Sequence, residues 1–399
     1  MRWSVATLAT AAVIGCGGDT EPLPTAPLLA AGESSTDRPW TIDIIDATLG
    51  GRFSVGHAIN GRGWVAGYSN ETGNLTRQAV VWQDGVLHEL GTLGGPSSSI
   101  VWTGLNAGGM AVGIAETAEL DPRGESWSCT PFFATGEESG HVCRGFWWDG
   151  GEMQALPTFG GTHGYAAGVN ARGQIVGWAE NLVEDPTCNL DGDQVLQFRA
   201  ALWEPKAGTM RELAPWPGDS TSAATAINAS GQSVGISGDC DVAVGSFSAR
   251  RGVLWEADGS VTLIGGLGGE AWHTPTSIND SGDVVGFSNP AEIPGNTFQP
   301  KAFIWTRAGG IDSLPMLPGD VWAQAFAINA RGQVVGRSCG AVCRAVLWED
   351  RMPIDLNERR PAGFTHHLAA ARDISESGVV TGNLVEAGTG RNLPFTARR

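Results

Sequence analysis

Charge is scarce in this chain. Only 17% of its 399 residues are Asp, Glu, Lys or Arg, and acids outnumber bases 42 to 25. A formal net charge of −17 argues against a phosphate-backbone binder, which needs clustered cations. Helical periodicity is missing, and beyond the first residues no stretch is apolar for long enough to span a bilayer. Catalytic signatures are missing too: there is no G-x-S-x-G, no H-E-x-x-H, no P-loop, and no Rossmann fingerprint leading into a helix. What is abundant is Gly, at 58, and Trp, at 16, the profile of a turn-rich β protein with aromatic packing.

The N-terminus stands apart from the rest. Arg2 supplies a positive n-region, Val5 to Ile14 an apolar h-region, and small residues follow. VIGC at 13–16 resembles a lipobox, so residues 1–15 read as a lipoprotein signal peptide with Cys16 as the lipidated residue. Gly17 after the Cys favours sorting to the outer membrane or cell surface. Residues 16–39, rich in Pro, Gly and Ser, read as a flexible tether. The lipid anchor is then the sole membrane contact.

Residues 40–399 repeat. HAINGRGWVAG (57–67), TGLNAGGMAVG (103–113), AGVNARGQIVG (167–177), TAINASGQSVG (225–235), TSINDSGDVVG (276–286), FAINARGQVVG (326–336) and RDISESGVVTG (372–382) are copies of one string. After each comes a second, such as RAALW (199–203), KAFIW (301–305) or RAVLW (344–348), and after most a third, such as LHELGTLGG (87–95). Each unit of 46 to 64 residues offers four short β segments divided by turn residues. In N-x-x-G the Asn can bond its own backbone and the Gly can take φ > 0, which is hairpin chemistry. Four-stranded units at this period predict a single β-propeller domain. The N-terminal WTIDIIDATLGG (40–51) matches only a fourth strand, and the C-terminal unit stops after its third, RNLPFTARR. One pairing of the two ends would close seven blades and leave no free sheet edge.

This alternation of "aIN..GqvvG", "kAFiW" and "dLgtLGG" resembles the HAF family of probable extracellular repeats over about residues 40 to 399, with KAFIW the nearest to the motif that names it. The resemblance implies an exported, propeller-like protein and carries no catalytic residues.

The N-x-x-G turns are short and uniform, so the variable face is the opposite one. Its largest loops run over 114–142, 178–198, 236–250 and 287–300, and long loops on a rigid scaffold are where binding usually resides. Six cysteines fall within or beside such loops, an even number in an exported chain. Of fifteen pairings, the layout favours Cys129–Cys143, Cys188–Cys240 and Cys339–Cys343. Asp219, Glu270 and Asp320 recur where the fourth strand leaves each unit, followed by Trp272, His273 and Trp322. These six are the candidate ligand-binding residues. Carboxylates there can hold Ca2+ or sugar hydroxyls, and indoles can stack on sugars; the competing use is a Pro-Gly-Asp turn with core aromatics.

Acid-rich loops at Asp185, Asp191, Asp193, Asp239 and Asp241 flank the same surface without EF-hand spacing. Arg144, Arg199, Arg251, Lys301, Arg344 and Arg391 open the third strands and are expected to pair with acids that follow the strand-three Trp, Asp149, Glu204, Glu256 and Glu349. The expectation is a monomeric binding module for a protein or glycan partner rather than an enzyme, with Ca2+ the one candidate ion. The alternative is a carbohydrate lyase or hydrolase with an acidic channel mouth. The repeat string itself reads as scaffold, remote from the site.

Overall fold

The repeat strings become hairpins, and the hairpins stack into four-stranded sheets. The structure is a computed structural model that describes residues 40–125, 129–133, 139–188, 194–241 and 245–399. The expected signal peptide, Cys16 and the expected tether lie outside the described residues, as do Asp191 and Asp193. Five antiparallel sheets are separate: β6–β9 (Gly94–Ser99, Ala111–Leu120, His141–Trp148, Gln154–Ala155), β10–β13 (Gly164–Val169, Ile175–Glu184, Leu196–Glu204, Thr209–Leu213), β14–β17 (Thr221–Ile227, Ser233–Gly238, Arg251–Trp255, Val261–Gly265), β18–β21 (Thr274–Ile278, Val284–Ser288, Lys301–Thr306, Gly310–Ser313) and β22–β25 (Trp322–Ile328, Val334–Cys339, Cys343–Glu349, Met352–Asp355). The chain's two ends share the remaining, eight-stranded sheet. Its halves are β2–β5 (Gly50–Ile59, Val65–Glu71, Arg77–Gln83, Val86–Glu89) and β26–β28 (His367–Ile374, Val380–Val385, Asn392–Arg398) with β1 (Thr41–Ile44) paired to β28. A single parallel bridge, Phe53 to Asn392, joins the halves. The fold is all-β and made of propeller-type blades, with no α-helix among the described residues.

The motif Asn does more than cap its turn. Asn170 Oδ1 accepts the Arg172 and Gln174 amides at 3.0 and 3.1 Å, while its Nδ2 donates 3.0 Å to the Asn228 carbonyl in the next sheet. The same bond runs from Asn60 to Asn106, Asn106 to Asn170, Asn228 to Asn279, Asn279 to Asn329, and Asn329 to Ser375. Ser375 has no amide with which to continue the relay. At that point the Asp373 carboxylate instead accepts the Ile59 amide at 2.7 Å.

The closing Gly of each string is set by a close approach. Strand one carries a bulge, as between Ala224 and Ala226, and Gly235 pairs beside it. A Cβ on Gly235 would lie 2.0 Å from the Ala223 carbonyl oxygen, and Gly67, Gly177 and Gly336 would meet theirs at 1.9, 1.9 and 2.0 Å. No side chain fits there.

In four of the repeats the buried strand-three Trp staples its strands to the preceding unit. Trp203, Trp255 and Trp348 donate their indole N–H to the carbonyls of Pro157, Ala214 and Pro315, each just past the previous sheet's fourth strand. Trp82 does the same to Ala47, just past β1. Two of the expected loops begin later than the sequence suggests, because β7 runs on to Leu120 and β11 to Glu184.

Replacing Asn228 by Ala removes its bonds to both turns, each worth about 1 kcal/mol net, and strands buried partners. Chemical denaturation of Asn228→Ala should show a loss of about 3 kcal/mol. Ser375→Asn, which supplies the missing donor, should cost nothing and stabilise by up to about 1 kcal/mol.

Candidate functional site

The bulge in strand one has a second effect: it turns out an extra residue. That residue is the first letter of each repeat string, namely His57, Ala167, Thr225, Thr276, Phe326 and Arg372, with Thr103 in the corresponding place. Thr225 and Thr276 spend their hydroxyls on backbone carbonyls, including Pro275 and Ala325 of the following sheets. His57, Thr103, Phe326 and Arg372 instead line one cavity of about 190 Å³, together with Val101, Trp102, Phe287, Gln324 and Arg337. The repeat string is therefore scaffold in every position but its variable first one, which borders this cavity, whereas the sequence expectation looked for the site away from the repeat. On the side of the third and fourth sheets the same inner region is filled by an apolar cluster of Ile114, Phe132, Tyr165, Trp178, Phe198 and Ile236.

The cavity is cationic in an acidic protein. Arg337 donates Nε and Nη2 to Gln324 Oε1 at 2.8 and 2.6 Å and lies over Trp322 at 4.8 Å. Arg372 lies over Phe326 at 4.6 Å, and its Nε is buried with no hydrogen-bond partner. Burial, then the charge of Arg372, brings Arg337 down to about 9. Burial and the charges of Arg372 and Arg77 hold His57 well below the usual imidazole range, so it is neutral at pH 7. His57 lies tilted against Tyr68 at 5.5 Å, and the Arg77 guanidinium lies over Tyr68 at 3.7 Å.

The six candidate residues from the sequence do not assemble into one centre. Asp219 is bound by Arg251 of its neighbouring sheet and accepts Ser237 Oγ, Asp320 pairs with Arg344 at 3.0 Å, and Glu270 is exposed. No metal-holding group among the described residues contains any of these acids. His273 is buried between Ser288 Oγ and the Gly269 carbonyl at 2.7 and 2.9 Å, a structural use. Trp272 and Trp322 are nearer the mark: both meet Phe298 edge to ring, at 4.9 and 5.8 Å, and Phe298 meets Phe287 of the cavity wall. Five of the six strand-three cations form ion pairs, though not with the acids expected, while Arg144 donates to Thr158 Oγ1 at 2.9 Å. Arg199 takes Glu212, Lys301 takes Glu292 and Arg391 takes Glu386. The acids after the Trp are held by the motif Gln residues: Gln174 by Glu204, Gln232 by Glu256 and Gln333 by Glu349.

Asp121, Glu125 and His163, which the sequence did not single out, do come together near the disulfide Cys129–Cys143. Their oxygens are already in use: Glu125 accepts the Val195 and Leu196 amides at 2.9 and 2.6 Å, and Asp121 the Arg123 amide at 3.1 Å. His163 Nδ1 accepts the Cys143 amide at 3.1 Å, so Nε2 carries the proton that faces Asp121, 3.4 Å away. The cluster ties loops together. The other two disulfides are Cys188–Cys240, between the third and fourth sheets, and Cys339–Cys343 across β23 and β24. Four of these cysteines are buried in the apolar cluster rather than at loop tips.

No protein-family model matches the chain. No curated protein matches it either. Among solved structures it is similar to an acylaminoacyl peptidase of Pyrococcus horikoshii (11% identity, 91% of this chain and 52% of that one, TM-score 0.48). It is also similar to the β-propeller domain of the Trilobed protease from Pyrococcus furiosus (11%, 85% and 93%, 0.47) and to TolB from Acinetobacter baumannii (12%, 73% and 63%, 0.39). The chain thus spans about half the length of the peptidase. Among the described residues no helix is long and apolar enough to cross a membrane.

The Asp121–His163 pair sets a pH window for its loop. Burial alone would lower His163, but its bond to Asp121 and the charges of Glu180, Asp121 and Glu125 outweigh that and raise it above 6.5. Burial would raise Asp121, but hydrogen bonds from His163 and two amides bring it to about 2, below 3.8. The raised His contributes fully below 6.5 and loses its effect as pH climbs through its folded value; the depressed Asp contributes fully above 3.8 and loses its effect toward about 2. Stability toward denaturant should therefore carry a contribution from this pair that is largest between 3.8 and 6.5. His163→Gln should abolish the decline on the alkaline side. A wild-type profile flat to pH 8 would contradict the assignment.

Proposed function

We propose that this is a non-catalytic binding module: an exported, lipid-anchored propeller of the HAF type whose ligand enters the cavity at the heart of the inner strands. The observation that carries the reading is the cavity itself, about 190 Å³ walled by His57, Trp102, Phe287, Phe326, Arg337 and Arg372. Its aromatic and cationic groups can orient a ligand. No pair of carboxylates is among the lining residues. Phe298, Trp272 and Trp322 extend its aromatic wall toward the long-loop face, where a protein or glycan partner would sit. The enzyme alternative rested on an acidic mouth, and Asp219 and Asp320 are occupied by Arg251 and Arg344.

The propeller in this reading has seven blades closed by the chain's two ends. What supports closure is that residues 40–51 make the contacts other blade exits make. Ala47 receives the Trp82 indole as Pro157, Ala214 and Pro315 receive theirs. The Leu49 amide donates to Ser69 Oγ at 2.9 Å, as the Trp216 and Leu267 amides donate to Ser237 and Ser288 at 2.9 and 2.8 Å. A closed ring holds its inner strands rigidly, which suits a preformed site.

Two experiments bear on this. Native-state binding raises the thermal midpoint, so a screen of glycans, divalent cations and small organic molecules should give hits that Thr103→Trp, which fills the cavity, removes. Hits unaffected by Thr103→Trp, or turnover of a polysaccharide, would contradict the reading. Cys16→Ser should release the protein from membranes, and continued co-sedimentation with the outer membrane would exclude lipidation at that residue.

A further inference from the structure

Across this molecule the cations near the long-loop face are matched by acids: Arg251 by Asp219, Lys301 by Glu292, Arg344 by both Asp320 and Asp355. The cavity departs from that rule. Among the described residues neither Arg337 nor Arg372 forms an ion pair, and the Arg372 side chain makes no hydrogen bond to any of them. Asp373, its neighbour in sequence, uses both oxygens on the backbone amides of Ile59 and Ile374, at 2.7 and 2.8 Å. The two guanidinia flank one ring, Phe326, at 5.7 and 4.6 Å. Two like charges drawn out of water toward each other cost free energy, and the protein's own groups offset it only through Gln324 and the aromatic faces. The planar fork of a guanidinium matches a carboxylate or phosphate bidentately. The rest of the wall, Val101, Trp102, Phe287 and Phe326, is apolar and suits a flat hydrophobic body. The cavity, about 190 Å³, has room for a ring with a short side chain.

We propose that the cavity binds a small organic carboxylate with an aromatic or apolar body, the carboxylate held by Arg372 and Arg337 and the body against Trp102, Phe287 and Phe326. This rests on the cavity being the ligand site, as proposed above. It names the charge and shape of what enters. Arg372 is the principal anchor, because its guanidinium lies over Phe326 and makes no hydrogen bond to a described residue, and Arg337 is preset by Gln324. His57, kept neutral, adds no competing anion and no third cation.

The test is calorimetric titration of the full chain with phenylacetate, phenylacetamide and inorganic phosphate. Phenylacetate should bind, and the amide, equal in shape but uncharged, should bind at least about tenfold more weakly. Arg372→Met and Arg337→Met should each weaken phenylacetate by about tenfold or more, and Arg372→Lys by less than Arg372→Met. Folding is checked independently: without ligand, Arg372→Met should melt no lower than wild type, because it removes a buried charge that has no acid partner. Equal binding of acid and amide, insensitive to Arg372→Met, would overturn this inference while leaving the cavity as a binding site. Phosphate binding as tightly as phenylacetate, with both lost in the Arg variants, would overturn the organic body. If none of the three probes binds, and Thr103→Trp also leaves every hit of the broader screen intact, both readings fall together.

Discussion

The Asn side-chain relay is the interaction on which the rest of the structure depends. One amide group closes its own turn through Oδ1 and reaches the next sheet through Nδ2, so the hairpin and its neighbour are oriented by the same side chain. A β-sheet alone does not say how it sits against the next one; packing of Val and Trp faces is permissive to small rotations. A buried, geometry-bound hydrogen bond is not permissive, because a rotation leaves both partners unsatisfied in a low-dielectric interior. With the turns pinned, the bulge and the closing Gly bring strands one and two close enough that only backbone fits between them. The leading residue of each string then has one place to go, toward the interior shared by the first strands.

That arrangement separates stability from specificity within eleven residues. The Asn, the turn Gly and the closing Gly are bound by geometry, while the leading residue is free to vary because no backbone bond depends on it. Where it is Thr, as at 225 and 276, it bridges neighbouring sheets. Where it is His57, Phe326 or Arg372, it walls a cavity. The Cys129–Cys143 and Cys188–Cys240 disulfides and the Asp121–His163 cluster lie on the opposite side, with the apolar plug of Trp178, Phe198 and Tyr165. One half of the interior is packed and cross-linked; the other half holds two arginines that no acid among the described residues neutralises.

Much of the fold was legible from the sequence because its signals are local. Strand alternation, N-x-x-G turns and the recurring Trp announce four-stranded units without any knowledge of what packs where. The terminal fragments, 40–51 and 391–399, were legible as complementary for the same reason, and β1 does pair with β28. The site was not legible, for reasons of register. Asp219 and Asp320 looked like free carboxylates because their captors, Arg251 and Arg344, stand 32 and 24 residues further on, opposite them only once the strands have paired. Arg372 looked like a degenerate first letter in the weakest copy of the repeat. Its significance lies in what surrounds it, Phe326 from one sheet and His57 from another, and distances between repeats are invisible in any one of them.

The central claim is that ligand recognition sits at the leading residues of the repeat and not at the exits of the fourth strands. Guanidinium ¹⁵Nε resonances of the folded protein report on this directly, because each arginine gives its own signal. On titration with phenylacetate, the account predicts that the Arg372 and Arg337 signals shift together and saturably while those of Arg251 and Arg344 stay in place. Movement of Arg251 and Arg344 with Arg372 and Arg337 unchanged would return the site to the acids at the loop face and contradict the account.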